Sequence, residues 1–320
     1  MNDYLTILPN RLFYTKEDSV SLYRQCNSYK LILILDYLYS SMDKKGDSRL
    51  SIEDIVITYG YKVNRNKGKI NEQVKNILIQ LQYNEIIKCD KDINKINYND
   101  FIKCIYNGIE INDNRDYTKF TMISNNIIDY ILKFNKIKID NVTLLFYYCY
   151  LCSRIYKSSN EHGKSYIHNG KAEECHPSYK TITKDIDIKP DTIKKYNDIL
   201  VDMNLIRIGN CGLCYNKGDE NNVRESPNFY VLTEDKDIIV ESENSIWDWN
   251  LKEGMKTYKK KNPNMVFLDT REYKDNNKKI NGYISRITQL EKEDKATKKQ
   301  IKKRDKLLNE KEDSKQNKKG

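Results

Sequence analysis

Apolar and polar positions along the chain follow one order of elements twice. LTILPNRLFY (5–14) is a short extended stretch running into a helical one, and FTMISNNIID (120–129) repeats it about 115 residues later. NSYKLILILDYLYSSMDKKGD (27–47) and NVTLLFYYCYLCSRIYKSSN (141–160) are strongly apolar helices that end in polar loops. LSIEDIVITYGYKVNRNKGKINEQVKNILIQLQYNEIIKC (50–89) and HPSYKTITKDIDIKPDTIKKYNDILVDMNLIRIG (176–209) each predict a short helix, a turn, a longer helix and a strand. Identity between the halves is slight. The shared order, with loops of different length, marks a duplication.

The first half predicts its elements from familiar signals. Ser51 suits an N-cap, with Asp54 three residues on as a variant of the capping box. Ile52, Ile55 and Val56 give the short helix an apolar face, and Gly60 breaks it. The basic turn KVNRNKGK (62–69) follows. Ile70, Val74, Ile77, Leu78 and Leu81 then recur at helical spacing. Glu85–Lys88 begins a strand, DKDINKINYND (90–100) is a polar turn, and FIKCIYNGIEI (101–111) returns as a strand. In the second half Ser178 caps a helix carrying Ile182 and Ile186. Asp187-Ile188-Lys189 is the turn, and Pro190 suits a helix start, where its missing N–H costs nothing. Ile193, Tyr196, Leu200 and Met203 form the next apolar stripe. Leu205–Ile208 starts a strand, 209–226 reads as a long polar loop, and PNFYVL (227–232) returns.

Helix, helix, turn, helix and two-stranded hairpin is the winged-helix plan. The expected fold is mainly α with small β-hairpin wings (α+β): two winged helix-turn-helix domains in tandem, 1–115 and 116–250, followed by a basic, helical or partly disordered tail, 251–320. The apolar stripe of each longer helix faces its neighbours, so off-stripe residues near its start are expected to be free. They are Asn64, Arg65, Asn66, Lys67, Lys69, Asn71, Gln73 and Lys75 in the first half. In the second they are Lys189, Asp191, Thr192, Lys194, Lys195 and Asn197. The N-terminal half of such a helix meets base edges in a helix-turn-helix. Lysines and helix amides suit phosphates, whereas Thr and Asn reach phosphates or bases. The same polar face is also what any solvated helix presents, and many such units bind proteins instead.

The duplication across 5–232 and the phrase PSYKTITKDIDIKPDTIKKYNDILVDMNLI resemble the tandem winged-helix replication initiator proteins of plasmids and phages, especially those of low-GC Gram-positive bacteria. The resemblance implies a non-enzymatic, sequence-specific binder of double-stranded DNA. Its two winged helices would bind successive turns of origin repeats, with 64–75 and 189–197 as recognition helices. It also implies control by a dimer–monomer change, and host replication proteins as partners. A transcriptional regulator on the same scaffold, or an adaptor that loads a helicase without sequence preference, is the alternative.

Charge sharpens this picture. Of the net +10, residues 251–320 carry 22 basic and 11 acidic side chains, leaving 34 and 35 in the first 250 residues. General attraction for polyanions therefore belongs to the tail. MNDYLTILPN has neither a basic n-region nor a long apolar h-region, and the apolar runs 31–39 and 142–152 fall short of a membrane span. A cytoplasmic protein without membrane contact is expected, its eight cysteines reduced. No Walker-type loop is present. His162, His168 and His176 form no His-x-His pair for nickase chemistry. Cofactors are expected to be absent, with one exception held open. Cys211 and Cys214 have zinc-knuckle spacing, and Cys175, His176, His162 or His168 are the other candidate ligands. The alternative is free thiols and loop histidines. Cys149 and Cys152 share the spacing but sit in an apolar helix, as core thiols. Trp247 and Trp249 are expected to pack an end of the second domain or to dock a partner.

Overall fold

A computed structural model of the chain describes residues 5–14, 20–107, 120–155, 173–233, 246–268, 285–289, 291 and 297–316. The fold is mixed α+β with small sheets. It divides into two compact units, residues 1–157 with 178–206, and residues 158–177 with 207–320. These boundaries differ from those expected at 115 and 250. Most of the segment expected to open the second domain packs within the first unit instead.

The pairing of β1 (Leu5–Pro9) with β5 (Phe120–Ser124) is the reason. The antiparallel ladder runs from Leu5 opposite Ser124 to Pro9 opposite Phe120. A shift of 115 residues maps it onto itself, with Ile7 and Met122 on the local two-fold axis. Side chains obey the same symmetry. Thr6 Oγ1 lies 3.0 Å from Asn125 Oδ1, and the Thr121 hydroxyl lies at the same 3.0 Å from Asn10 Oδ1, to which it donates. Pro9 and Ser124 share one backbone conformation, φ −67° and ψ 135°. The halves then part. Ser124 Oγ caps α5 (Asn125–Leu132), whereas Pro9 offers no side-chain acceptor and a single 3₁₀ turn follows it.

The core of this unit is built on α6 (Asn141–Arg154), buried without interruption from Val142 to Ser153. A helix apolar on all sides is stable only when surrounded, and each fully buried Leu or Phe in it contributes about 2 kcal/mol. Phe146 meets Phe13, Tyr23 and Tyr29 at ring-centroid distances of 5.0, 5.1 and 5.3 Å. α6 packs on α5, β5, α2 (Leu31–Ser40) and α8 (Pro190–Asp202); α1 (Leu22–Cys26) reaches it through Tyr23 and α7 (Tyr179–Ile186) through Asp185, while α3 (Ile52–Thr58) and α4 (Ile70–Tyr83) pack on α2. A three-stranded antiparallel sheet adds β2 (Asp47–Leu50), β3 (Ile87–Cys89) and β4 (Ile102–Tyr106), with β4 in the middle. The expected polar turn at 90–100 is half right. Ile93 and Ile96 point inward and are buried, so the segment folds over its own apolar contacts.

The second unit receives the chain through β6 (Ile206–Asn210), which pairs with β9 (Asn228–Leu232). The expected loop 209–226 contains two strands, β7 (Leu213–Asn216) and β8 (Arg224–Glu225), which pair with each other. β10 (Met265–Phe267) completes that sheet from the other side of β7. α9 (Ile246–Lys261) lies against β9, with Leu251 packed on Phe229 and Val231, and Trp247, Met255 and Tyr258 around them. Arg207 stacks over the Trp247 ring at 4.7 Å and pairs with Asp248 at 3.1 Å. The expected tail boundary at 251 therefore cuts through a helix of the unit. Trp247, Leu251, Met255 and Tyr258 follow the helical spacing that marks a buried stripe. Farther on, α10 (Lys298–Gln316) is mostly charged, with Ile301, Leu307 and Leu308 as its apolar residues. No described helix is long and apolar enough to cross a membrane.

Candidate nucleic-acid interface

The start of α8 is set by its turn. Ser178 Oγ accepts the Thr181 N–H at 3.0 Å and caps α7. Asp187 ends α7 in the left-handed region, φ 54°, a conformation that Asp tolerates better than most residues. The Thr183 hydroxyl then donates to Ile188 O at 2.7 Å and fixes the turn. Pro190 opens α8 at its first position. From inside, the Tyr150 hydroxyl donates to Asp185 Oδ2 at 2.8 Å, and Arg154 pairs with the same carboxylate. Tyr29 donates to Ile186 O at 2.9 Å.

Ile193, Tyr196, Ile199 and Leu200 face the core. Lys189, Asp191, Lys194 and Lys195 are exposed, and Thr192 is half-buried. Among the described residues none of the three lysines is in an ion pair. Asn197 is different from what its position off the stripe predicts. It is 3 % exposed, accepts the Tyr147 hydroxyl at 2.7 Å and donates to the Tyr179 hydroxyl at 3.3 Å. Its amide satisfies the buried phenol of α6 and cannot meet a base.

The start of α4 repeats the design with its own details. Ser51 Oγ accepts the Asp54 N–H at 3.1 Å, and the turn leads through Gly60 and Gly68, both at positive φ. Lys67, Lys69, Asn66 and Gln73 are exposed. Gln73 reaches back to Gly68 O at 2.9 Å, and the Glu72 carboxylate takes the Gly68 N–H. Arg65 is exposed but held by Glu53 at 2.7 Å. Asn64 is half-buried, and its N–H donates to Asn71 Oδ1 at 2.8 Å.

Two expectations change here. Asn71 is 0 % exposed and shapes the turn from beneath, because the chain passes over it. Lys75 turns sideways. Its ammonium donates to Asn94 O at 3.1 Å and Ile96 O at 2.8 Å, which ties α4 to the loop between β3 and β4. Lys62, exposed at the head of the same basic turn, was not singled out from the sequence, although it belongs to the same charge run.

The two helices thus carry the same exposed chemistry. Lys67 and Lys69 on one, and Lys189, Lys194 and Lys195 on the other, are long cations on the helix starts that form no ion pair among the described residues. Such groups suit phosphate oxygens. Asn66, Gln73 and Thr192 add donors and acceptors beside them.

The zinc candidates are less well assembled. Cys175 is bridged to Tyr230 through backbone hydrogen bonds of 3.1 and 2.8 Å. His176 stacks on Phe229 at 4.9 Å and its Nδ1 lies 3.0 Å from Glu174. Cys214 is buried in β7 opposite Phe267. The Cys211 thiol is pushed up by burial, which disfavours the thiolate that a metal requires. Among the described residues no three His, Cys, Asp or Glu side chains are grouped to hold a metal ion. His162 and His168 lie outside the described residues. No family model, no curated protein and no solved structure matches the chain.

Proposed function

We propose that the chain is a tandem winged-helix protein that binds double-stranded DNA in a sequence-specific way, without catalysis, as an initiator of plasmid or phage replication. In this proposal α4 and α8 are the recognition helices. The β3–β4 hairpin is one wing, and the strands after α8 form the other. The observation that carries it is the paired presentation, at the starts of two helices with the same local design, of exposed lysines that form no ion pair among the described residues. The two-fold β1–β5 ladder supports descent of both from one duplicated reader.

Lys67, Lys69, Lys189, Lys194 and Lys195 neutralise phosphates in this proposal. Thr192, Asn66 and Gln73 lie nearest to base edges, and Asn71 and Asn197 hold the helices in place. The initiator role rests on the family resemblance of the sequence.

The test is binding to fragments of the protein's own replicon, with competitor DNA and a salt series. A footprint over repeated sites is expected. Lys194→Ala with Lys195→Ala should weaken binding across all sequences and lower the steepness of the salt dependence by about 2. Unchanged affinity and slope would remove α8 from the interface. Binding indifferent to sequence would overturn the specific reader and favour an adaptor that holds proteins.

A further inference from the structure

Within the first hairpin, Cys89 on β3 stands directly opposite Cys104 on β4. The ladder on either side shows which kind of pair this is. Asp90 N donates to Lys103 O at 3.0 Å, and Asn107 N donates to Ile86 O at 2.7 Å. Hydrogen-bonded pairs recur at every second residue of an antiparallel ladder, so Cys89 and Cys104 occupy a non-hydrogen-bonded pair. There the Cα atoms approach to about 4.5 Å and the side chains lie on the same face. That separation falls within the range a disulfide spans, roughly 4.4–6.8 Å. The two sulfurs are 2.8 Å apart.

We propose that Cys89 and Cys104 form a site of reversible covalent modification, a dithiol that closes to a cross-strand disulfide by exchange with a small-molecule disulfide. The sulfurs need move by less than about 1 Å to reach the bond length near 2.0 Å. Cys89 is half-buried and within reach of solvent, whereas Cys104 is fully buried. The contact with Cys89, and then burial, push the Cys104 thiol well up. Cys89 is therefore the entry point and Cys104 the resolving partner.

The exchange balances in two steps. The Cys89 thiolate attacks one sulfur of the small disulfide, whose S–S bond breaks, and the departing thiolate takes a proton from water. The Cys104 thiol then gives its proton to a solvent base. Its sulfur attacks the Cys89 sulfur and expels the second small thiolate. Two electrons pass from the protein thiols to the oxidant, which ends as two thiols. The new bond closes the segment that carries Ile93, Ile96 and the carbonyls held by Lys75. This chemistry stands whether or not the hairpin touches DNA.

The experiment uses the purified full chain equilibrated with graded ratios of oxidised to reduced glutathione. Remaining thiols are then alkylated and the peptides mapped by mass. Expected is the joint loss of two thiols, a peptide pair linked through Cys89 and Cys104, and reversal by dithiothreitol. Thermal unfolding should shift upward by about 5 °C or more, because a loop of this length is closed in the unfolded chain. Cys104→Ser should leave Cys89 as a mixed disulfide with glutathione. If that variant does not fold, the wild-type peptide map decides alone. The proposal is overturned if wild-type Cys89 stops at the mixed disulfide. It is equally overturned if the pair stays reduced while Cys26 or Cys211 oxidises, or if the linked peptides join other cysteines.

Discussion

Asp36 is a carboxylate inside a run of otherwise apolar side chains, only 7 % exposed. It survives there because the Thr6 hydroxyl donates to it at 2.7 Å and the Tyr59 hydroxyl at 2.6 Å. Burial pushes its carboxyl above the ordinary 3.8, and the two hydrogen bonds offset this only in part. A carboxyl raised in the folded state binds its proton more tightly when folded. Its contribution to stability is therefore largest at low pH, and it falls as pH rises from 3.8 through the raised folded value. Asp36→Asn should remove that slope. Denaturant unfolding of both proteins between about pH 4 and 8 tests this: the stability difference should shift in favour of the variant as pH rises, and parallel profiles would refute it. In the other half the pair is exchanged, with Tyr150 on the packed helix and Asp185 on the short one. Neither pair was legible in the sequence. There Asp36 is only an interruption of LILILDYLY, since its partners come from residues 30 and 23 positions away.

Helix ends show the duplication more closely than helix faces do. α4 ends with Glu85 at φ 57°, and α8 ends with Asn204 at φ 54°. In each, the next N–H reaches back five residues at 2.9 Å, from Ile86 to Leu81 O and from Leu205 to Leu200 O. This is a Schellman closure, and both chains turn from it directly into a strand. Glu lacks the tolerance for the left-handed region that Asn has. Glu85→Gly should therefore stabilise the protein by about 1 kcal/mol, and Asn204→Gly by no more than a few tenths. Urea midpoints compare the two, and equal gains would show that the ends are strained alike and refute the difference. The apolar faces of α4 and α8 were readable because helical spacing repeats every three to four residues. The elements 213–216, 224–225 and 265–267 were not. Strands of two to four residues are too short to carry a periodic signal, and 265–267 pairs with a strand about 50 residues before it.

At the scale of the whole molecule, charge and packing divide the C-terminal region at different points. Net positive charge collects from residue 251 onward, but Leu251, Tyr258 and β10 belong to the packing of the second unit. Truncation after Leu268 should leave folding and a specific footprint intact while lowering non-specific, salt-sensitive DNA affinity. Truncation after Asn250 should unfold the second unit. Circular dichroism with footprinting of both truncations distinguishes these outcomes, and equal folding of the two would refute the boundary. By itself the sequence determined the duplicated order of elements, the inward face of each longer helix, the caps at Ser51 and Ser178, and the uneven charge. These depend on residues within a few positions of one another. Only the tertiary structure decided that β1 pairs with β5, that Asn71 and Asn197 are interior, and that Lys75 serves a loop. Those outcomes depend on contacts such as Thr6 with Asn125, 119 residues apart, and Asn10 with Ser153, 143 apart. Local periodicity says which side of a helix turns inward. Which polar side chains are taken inward with it depends on what the rest of the chain brings against that side.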